Sequence, residues 1–254
     1  MGGHLESVLT WDGYSSTDLA AECQAPRVEL LDETTSTLDV AHALAAEGAP
    51  AGTVVLADRQ TAGRGRFGRE WVSAPGSGVW CTIIERPSDA RALDVLSLRV
   101  GMRIAAALDA PARERVRLKW PNDLVLGRGK LGGILIESRF AGTVPQWVAI
   151  GIGVNVRHPE VEGAAGFPDG VSRVDIFTAI VRAARAAAAR TGLLSDLELA
   201  QWNNRDLLVR RRIESPAQGI VRGIDSSGAL IVHTDNGTEL HRAGTIRLAE
   251  EGNS

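Results

Sequence analysis

The sequence contains almost no lysine: of its 28 basic residues, only Lys119 and Lys130 are not arginine. Arginine presents a planar, fork-shaped cation, whereas lysine presents a compact and movable ammonium group. A chain that uses arginine nearly everywhere and keeps lysine at two positions makes those two lysines candidates for a functional role. A phosphate group in transfer is one partner that such a point charge suits.

Cysteines, paired histidines and long apolar runs are also scarce. Cys23 and Cys81 are the only cysteines, and no apolar run approaches the ~18 residues of a membrane-spanning helix. No secretion signal opens the chain, so we expect a reduced, cytoplasmic protein without a membrane partner. None of the five histidines stands three or four residues from another, which argues against a metal site built on histidine.

Charge is nearly balanced, with a formal net charge of -3 over 254 residues. The first fifty residues hold nine acidic side chains and a single basic one, Arg27. We therefore expect no DNA-binding module in this segment and no nucleic-acid partner. The length suits one large domain followed by a small one.

Three glycines and three arginines are concentrated between Gly63 and Arg69, directly before Glu70 and Trp71. This segment follows the apolar run 53–57, so we interpret it as a loop that leaves a buried strand. Glycine lets the backbone approach a ligand closely, and arginine forks suit carboxylate and phosphate oxygens. The pattern predicts an anion-binding loop at residues 63–71, which we call the Arg/Gly loop. The alternatives are a disordered Arg/Gly tail that binds RNA and a solvated turn.

Periodicity predicts strands and helices over most of the chain. Strands are expected at 28–32, 53–58, 78–85, 116–126, 130–137 and 147–156. Helices are expected at 17–24, 38–47, 92–108, 175–190 and 195–206. Pro111 is expected to close the long helix, and the turn 127–129 predicts a hairpin with Lys130 at the start of its return strand. After residue 208, short strands between turn residues predict a small barrel.

Two segments hold more hydroxyl groups or glycines than their predicted elements require. Four hydroxyl residues, Thr34 to Thr37, lie between a strand and a helix. One hydroxyl, of Ser36 or Thr37, is expected to cap the helix, and a small-ligand contact is the alternative role for these hydroxyls. Gly151 and Gly153 alternate with β-branched residues inside a strand. Such glycines weaken a strand unless a ligand or a neighbouring backbone fills the space.

Four segments, in order along the chain, resemble the signature of biotin protein ligases: 63–71, 119–123 (Lys-Trp-Pro-Asn-Asp), 130–137 and 151–155. The resemblance covers about residues 28–249 and implies an α+β fold. A biotin ligase/lipoyl ligase-like catalytic domain on a mixed sheet precedes a small SH3-like β-barrel. The implied divisions are an N-terminal extension 1–25, a catalytic biotin- and ATP-binding domain 26–206, and a C-terminal domain 207–250.

The activity that this resemblance implies consists of two half-reactions. The carboxylate of biotin attacks the α-phosphate of ATP, which enters with Mg²⁺, to give biotinyl-5′-AMP and pyrophosphate. A lysine of a biotin carboxyl carrier protein then attacks the mixed anhydride. Cationic side chains and backbone N–H groups have to offset the repulsion between the two anions. No permanently bound cofactor is implied, and the sequence leaves monomer and homodimer open.

The resemblance also implies roles for individual residues. The implied catalytic residues are Lys130, Arg66 and Asp123. The implied biotin-binding residues are Ser36, Thr37, Gln60, Gly63, Arg64, Arg66, Lys130, Gly133 and Gly151. The implied ATP-binding residues are Arg64, Arg66, Trp71, Asn122, Lys130 and Asn155. Asp123 serves Mg²⁺ and the phosphates or steers the incoming lysine; alternatively, Asn122 and Asp123 only shape a turn after Pro121.

The sequence departs from the family pattern at two points. Leu38 stands where the family commonly has asparagine after the Ser-Thr pair, which alters one wall of the expected biotin pocket. The sequence shows no counterpart of the N-terminal winged helix of bifunctional members, so we expect the ligase-only type. The alternatives are a lipoate-type ligase or octanoyl transferase, and a non-catalytic biotin or nucleotide sensor or repressor. Gln60 and the Arg/Gly loop favour biotin.

Overall fold

The structure, a computed structural model, describes residues 9–249, in which five α-helices and fourteen strands form. The helices are α1 (Ser16–Cys23), α2 (Thr37–Ala46), α3 (Leu96–Ala112), α4 (Arg173–Ala188) and α5 (Asp196–Asn203). The strands are β1 (Thr10–Trp11), β2 (Tyr14–Ser15), β3 (Val28–Thr34), β4 (Val54–Gln60), β5 (Gly78–Glu85), β6 (Arg117–Lys119), β7 (Asp123–Leu126), β8 (Gly129–Ala141), β9 (Val144–Asn155), β10 (Arg212–Ser215), β11 (Gly219–Ile224), β12 (Leu230–Thr234), β13 (Gly237–His241) and β14 (Arg247–Leu248). None of the helices between residues 9 and 249 is both long and apolar enough to cross a membrane.

A seven-stranded mixed sheet organises the larger part of the chain, in the order β3-β4-β5-β9-β8-β7-β6. Strands β3 and β4 run parallel, joined by the crossover helix α2, and the other neighbours are antiparallel. The two longest strands, β8 and β9, form one hairpin in the middle of the sheet. The predicted mixed sheet is thus confirmed.

Alternation along the central strands buries both faces of this sheet. On β5, Cys81 and Ile83 belong to the large core that includes α3 and α4, whereas Ile84 packs with Ala41 and Ala45 of α2 on the opposite face. Successive side chains of a strand point to opposite faces, so the sheet separates a thick helical layer from a thinner one. The thinner layer leaves one end of the second face uncovered beyond the start of α2.

One apolar core runs through the N-terminal segment, the sheet and the C-terminal strands. Trp11, Leu19 and Val232 all belong to the same buried cluster. The β11–β12 turn is also fixed against the larger part, because the Trp120 indole N–H donates to the Gly228 carbonyl at 3.0 Å. The three domain ranges expected from the sequence stay predictions.

The long helix differs from its prediction at both ends. A 3₁₀ turn, Ala90–Val95, precedes it, so α3 begins at Leu96 rather than at residue 92. Pro111 lies inside the last helical turn, and the helix ends at Ala112. The sequence predicted a helix that ends at residue 108 and is closed by Pro111; the helix instead continues four residues further, to Ala112.

The segment 116–126, predicted as a single strand, forms two short strands. Pro121 lacks the N–H group that a continuous ladder requires, and the chain turns there so that β6 pairs with β7. The predicted hairpin that follows is confirmed, because Leu126 lies opposite Gly129 and Lys130 is the second residue of the return strand β8.

The C-terminal strands form an antiparallel sheet in the order β13-β12-β11-β10-β14. Turns at 225–228 and 235–237 connect β11 to β12 and β12 to β13, in agreement with the short strands and turns predicted after residue 208. In the part of the chain that the structure describes, the edge strands β13 and β14 do not pair with each other, so the sheet is open. The SH3-like barrel stays a prediction.

A buried arginine fixes α3 to the segment before α5, and no sequence pattern had marked it. Arg99 is 2% exposed, and its guanidinium donates to both carboxylate oxygens of Glu198, at 2.7 and 3.3 Å, and to the carbonyls of Gly192 and Leu193. Burial opposes ionisation of Glu198, but hydrogen bonds from Arg99 and Ser195 outweigh it and lower its pKa from 4.5 to about 2.

Acidification is therefore expected to weaken the fold through Glu198. Its pKa in the folded state lies below that in the unfolded state. The contribution of Glu198 to the free energy of unfolding is therefore complete above about pH 5 and is lost as the pH falls towards 2. The loss amounts to roughly 3 kcal/mol in the free energy of unfolding. Urea titrations at several pH values test this: Glu198→Gln should be less stable than the wild type at pH 7 and vary less with pH. Parallel pH profiles would contradict the prediction.

Candidate active site

A cavity of about 230 Å³ lies on the uncovered end of the second sheet face, beside the start of α2. The Arg/Gly loop, the turn between β6 and β7, and a C-terminal segment enclose it. Its lining residues are Ser36, Thr37, Leu38, Gln60, Arg64, Gly65, Arg66, Phe67, Arg69, Glu70, Trp71, Cys81, Lys119, Trp120, Pro121, Asn122, Asp123, Lys130, Gly133, Ile134, Leu135, Gly151, Ile152, Gly153, Gly244, Thr245 and Ile246.

The floor of the cavity contains three glycines on neighbouring strands. Gly133 on β8 lies opposite Gly153 on β9. Gly151 precedes Gly153 by two residues and therefore lies on the same face of the sheet. The residues that alternate with the glycines on β9, Ile150 and Ile152, belong to the large core on the opposite face. The predicted glycine pattern therefore leaves flat backbone towards the cavity and apolar side chains towards the helices.

Trp71 covers part of this glycine floor. A β-carbon added at Gly153 would lie 2.6 Å from indole atoms of Trp71, and one at Gly133 would lie 3.4 Å from the same ring. The indole also packs edge-on against Trp80, with ring centroids 6.2 Å apart. Its buried N–H group finds no hydrogen-bond partner among residues 9–249. The space that the sequence pattern reserved for a ligand or a backbone thus holds an aromatic side chain.

Replacement of Gly153 by alanine is expected to displace Trp71, because a methyl group and the indole cannot share this position. The tryptophan emission should shift to longer wavelength, and a Trp71→Phe background should abolish the shift. Gly101→Ala is the matched control: its β-carbon meets Ile134 and Leu118 at an ordinary 3.5 Å, so it should leave the emission unchanged. An unchanged spectrum for Gly153→Ala would refute the packing described.

A buried hydrogen-bond chain forms the polar end of the cavity. The Thr37 N–H and hydroxyl donate to the Gln60 side-chain oxygen at 2.9 and 3.1 Å, and the Thr82 hydroxyl donates to Thr37 at 2.8 Å. The Gln60 amide donates to Ser73, whose hydroxyl donates to the Trp71 carbonyl. The chain fixes the orientation of the Gln60 amide and connects it to the end of the Arg/Gly loop. The other predicted hydroxyl, Ser36, caps α2.

Lys130 lies at the opposite end and forms an ion pair with Asp123, with 2.7 Å between Nζ and Oδ1. Its ammonium group is also 5.2 Å from the centre of the Trp71 ring. The backbone is held on both sides, since Lys130 N–H donates to the Gly163 carbonyl and its own carbonyl accepts from Asn155 and Ala165. A fixed backbone under a flexible side chain keeps the ammonium group within this end of the cavity.

The Arg/Gly loop closes on itself through backbone hydrogen bonds. Gly65 N–H donates to the Arg69 carbonyl at 2.7 Å, and Trp71 N–H donates to the Gly63 carbonyl at 2.8 Å. A β-carbon at Gly63 would lie 2.4 Å from the Trp71 carbonyl, so only glycine permits this approach. Phe67 at the tip adopts φ 58°, in the left-handed region, and is 66% exposed.

Arg66 is the loop cation most directly available to a ligand. It lines the cavity and forms no ion pair with any residue between 9 and 249. Burial lowers the pKa of its guanidinium, Asp123 counteracts this, and the neighbouring Arg69 adds to it. An anion that entered here would therefore relieve a cluster of positive charge.

Residues from the C-terminal sheet complete the wall, which the sequence did not predict. Gly244, Thr245 and Ile246 line the cavity, and Arg69 donates to the Thr245 hydroxyl at 3.2 Å. Contacts between positions so far apart along a chain leave no local sequence signal.

The structure brings together eleven of the thirteen predicted site residues in this one cavity: Ser36, Thr37, Gln60, Arg64, Arg66, Trp71, Asn122, Asp123, Lys130, Gly133 and Gly151. Gly63 and Asn155 do not line it. Gly63 lies at the base of the loop, where its carbonyl accepts from Trp71 N–H, and the Asn155 amide donates to the carbonyls of Lys130 and Ala165. Asn122 lines the cavity but also donates to the Ile134 carbonyl at 2.9 Å, as expected of a turn-shaping residue.

Metal-binding groups are sparse in the described residues. No cluster of three or more histidine, cysteine or acidic side chains suited to a metal ion occurs between residues 9 and 249. Asp123 and Glu70 are the carboxylates that line the cavity. Mg²⁺ is usually held by one or two carboxylates together with substrate phosphates and water, so Asp123 fits an ion that enters with a nucleotide.

Comparison with known proteins shows the family to which this fold belongs. The family model described as Biotin/lipoate A/B protein ligase family matches residues 30–155, and that of the Biotin protein ligase C terminal domain matches residues 212–248. The fold and site thus define a member of the biotin/lipoate ligase class. A Biotin--[acetyl-CoA-carboxylase] ligase of Mycobacterium tuberculosis is 33% identical, covering 92% of this chain and 89% of that protein. The chain belongs to the biotin protein ligase family.

Two further relatives and two solved structures are similar. The Paracoccus denitrificans Biotin--[acetyl-CoA-carboxylase] ligase is 35% identical over 76% of this chain and 88% of its own length. The Bifunctional ligase/repressor BirA of Bacillus spizizenii is 31% identical over 91% of this chain and 76% of its own length. Aquifex aeolicus biotin protein ligase in complex with biotin and ATP has a TM-score of 0.70 at 22% identity, covering 87% of this chain and 99% of that one. Leishmania major biotin protein ligase in complex with biotinyl-5-AMP has a TM-score of 0.61 at 24% identity, covering 89% of this chain and 99% of that one. These two similarities show the fold.

Proposed function

We propose that the cavity binds biotin and ATP side by side, makes biotinyl-5′-AMP and passes biotin to a lysine of a carrier protein. The chain is an ATP-dependent biotin protein ligase. One observation best supports this use of the cavity: four separate segments of the chain place cationic side chains, an amide side chain and glycine backbone around one space. The individual roles below are proposals.

The first half-reaction brings a carboxylate oxygen of biotin to the α-phosphorus of ATP. A new O–P bond forms, the bond to the bridging oxygen of the β-phosphate breaks, and pyrophosphate leaves. Lys130 stabilises the charge that this displacement concentrates on the phosphate, and Arg66 binds the carboxylate and phosphate oxygens. The ion pair between Lys130 and Asp123 supports this role, because it holds the ammonium group inside the cavity before substrates arrive.

Biotin lies with its ring at the polar end of the cavity. Ser36, Thr37 and Gln60 bind the ureido group, and the hydrogen bonds from Thr37 leave the Gln60 amide in one orientation. Gly133 and Gly151 form the flat wall beside the ring. Leu38 supplies an apolar wall beside Gly151. Its side chain lies so close to this glycine that a β-carbon added there would be 3.2 Å from Leu38.

The nucleotide occupies the end of the cavity near Lys130. Asn122 and Trp71 contact it directly, whereas Asn155 acts through the Lys130 backbone that it holds. Asp123 contributes a carboxylate to Mg²⁺ carried by the phosphates; bound there, the ion neutralises charge on the phosphate oxygens. Gly63 contributes by letting the two ends of the loop meet, and Arg64 by holding the loop in place.

In the second half-reaction the ε-amine of an acceptor lysine attacks the acyl carbon of biotinyl-5′-AMP, an amide bond forms and AMP leaves. The acceptor is the biotin carboxyl carrier domain of a carboxylase, as the names of the Mycobacterium and Paracoccus relatives suggest. We further propose an SH3-like C-terminal sheet and a cytoplasmic location. Monomer and homodimer both stay compatible with this proposal.

Mass spectrometry tests the proposal. A biotin carboxyl carrier domain incubated with the protein, biotin and MgATP should gain one biotin on one lysine. Omission of ATP should prevent the gain. Lipoate in place of biotin should give no product, because Gln60 is oriented for a ureido group that lipoate lacks. Efficient transfer of lipoate with none of biotin would refute the proposal.

A further inference from the structure

Arg64 differs from the other loop arginines because its charge is already matched by carboxylates. Its Nη1 lies 2.6 Å from Asp39 Oδ1, and its Nη2 lies 3.6 Å from Glu137 Oε2. Arg66 has no ion-pair partner among residues 9–249, and Arg69 donates to a hydroxyl. A guanidinium shared by two carboxylates is a weak ligand for another anion, since the incoming anion meets like charges.

The two carboxylates belong to different elements. Asp39 lies in the first turn of α2, where the positive end of the helix dipole favours a negative side chain. Glu137 lies on β8, at the side of the cavity where the glycine floor ends. Arg64 therefore ties the start of the Arg/Gly loop to both the helix and the sheet.

His42 and Trp147 hold Glu137 in its place. The Trp147 indole N–H, which can only donate, lies 2.9 Å from His42 Nδ1. Nδ1 must therefore accept, Nε2 carries the ring proton, and Nε2 donates to Glu137 Oε2 at 2.9 Å. His42 and Glu137 are both partly exposed, so this contact orients the carboxylate without burying it. We call Asp39, Glu137 and His42 the Arg64 seat.

We propose that Arg64 is a positioning residue, which fastens the Arg/Gly loop over the cavity through the Arg64 seat rather than by binding substrate anions. This rests on the proposed function and deepens it by dividing the work among the loop arginines. Arg66 meets the phosphate and carboxylate, and Arg64 keeps the loop that carries Arg66 in place. The seat is exposed and solvated, so it holds the loop weakly enough to open for substrate entry.

The two possible roles of Arg64 predict opposite effects when the seat loses its charge. The double variant Asp39→Asn, Glu137→Gln keeps the size of both side chains and one acceptor oxygen on each, and removes their charge. If the seat fastens the loop, this variant should release biotinyl-5′-AMP about threefold to tenfold faster than the wild type. If Arg64 binds substrate anions, removal of two competing carboxylates should instead slow the release.

Two further variants separate the seat from unrelated effects. Glu33→Gln breaks the exposed Arg59–Glu33 pair, at 2.8 Å on neighbouring strands outside the cavity, and should leave release unchanged. Glu137→Gln alone should act in the same direction as the double variant; because it leaves the first turn of α2 intact, it excludes a helix effect. Arg64→Met combined with the double variant should be no faster than either alone, since all remove the same contact.

Hydrogen exchange of the ligand-free protein provides a test that needs no chemistry. Residues 63–71 should exchange faster in the double variant than in the wild type and Glu33→Gln. If the wild type makes no pyrophosphate from biotin and MgATP, the proposed function fails while the exchange result still tests the seat. Equal exchange, together with unchanged or slower release of biotinyl-5′-AMP, would overturn the assignment of Arg64.

Discussion

Replacement of Lys130 by alanine is expected to reduce the synthesis of biotinyl-5′-AMP at least a hundredfold while the fold stays intact. The variant loses a point charge between two anions and leaves Asp123, 2.7 Å away in the wild type, without its partner. An unpaired carboxylate beside the phosphates adds repulsion to the lost stabilisation. Removal of one charged group of this kind costs on the order of 3 kcal/mol or more in the transition state. Pyrophosphate release in the presence of biotin and MgATP measures the effect.

The second lysine of the sequence supplies the matched comparison. Lys119→Ala removes the same charge from the same cavity but leaves the ion pair between Lys130 and Asp123 intact. Lys130→Arg tests geometry, because its planar fork replaces a compact ammonium group. Normal pyrophosphate release from Lys130→Ala would refute the assignment, and equal losses in both alanine variants would mean that only the total charge matters. Circular dichroism checks that each variant is folded.

Replacement of Arg66 by glycine should separate retention of the intermediate from its synthesis. Arg66 lies in the short helical turn of the loop, and the charge-assisted contacts that we propose between it and the adenylate would contribute roughly 1.5 to 3 kcal/mol. The variant should therefore lose biotinyl-5′-AMP about ten- to a hundredfold faster, while Lys130 still supports its formation. The released intermediate is a reactive acyl donor that should label lysines of an unrelated protein, detectable with streptavidin.

Glycine also makes the loop more flexible, so a second variant is required. Arg66→Met removes the guanidinium but keeps the backbone restricted, and it should label the bystander protein nearly as strongly. If Arg66→Gly labels the bystander protein and Arg66→Met does not, the faster release of biotinyl-5′-AMP results from backbone flexibility and not from loss of the guanidinium. If both variants make pyrophosphate yet label no more than the wild type, Arg66 does not retain the intermediate.

Much of this site could be predicted because its residues carry local signals. The Arg/Gly loop follows a buried strand, and the hairpin around Gly127 places Lys130 at a strand start, as observed. The alternation of Gly151 and Gly153 with β-branched residues predicted a close approach on one face. The structure confirms that approach, but the group that makes it is Trp71. Sequence periodicity indicates a gap and cannot identify its occupant.

The remaining features depend on contacts between distant parts of the chain. Arg99 looks like an ordinary polar position of a helix until Glu198, 99 residues later, gives it a partner in the core. Asn155 was expected to face the nucleotide and instead holds the carbonyl of Lys130, because its strand ends beside the return strand of the hairpin. Such placements follow from strand order, which local patterns do not determine.

The contact between Arg69 and Thr245 joins the Arg/Gly loop to the C-terminal sheet, across 176 positions of sequence. Two elements that stabilise each other in this way are thermodynamically linked, and the linkage is reciprocal. A ligand that orders the loop therefore also favours docking of residues 244–246, and a change that detaches this segment weakens the binding of that ligand.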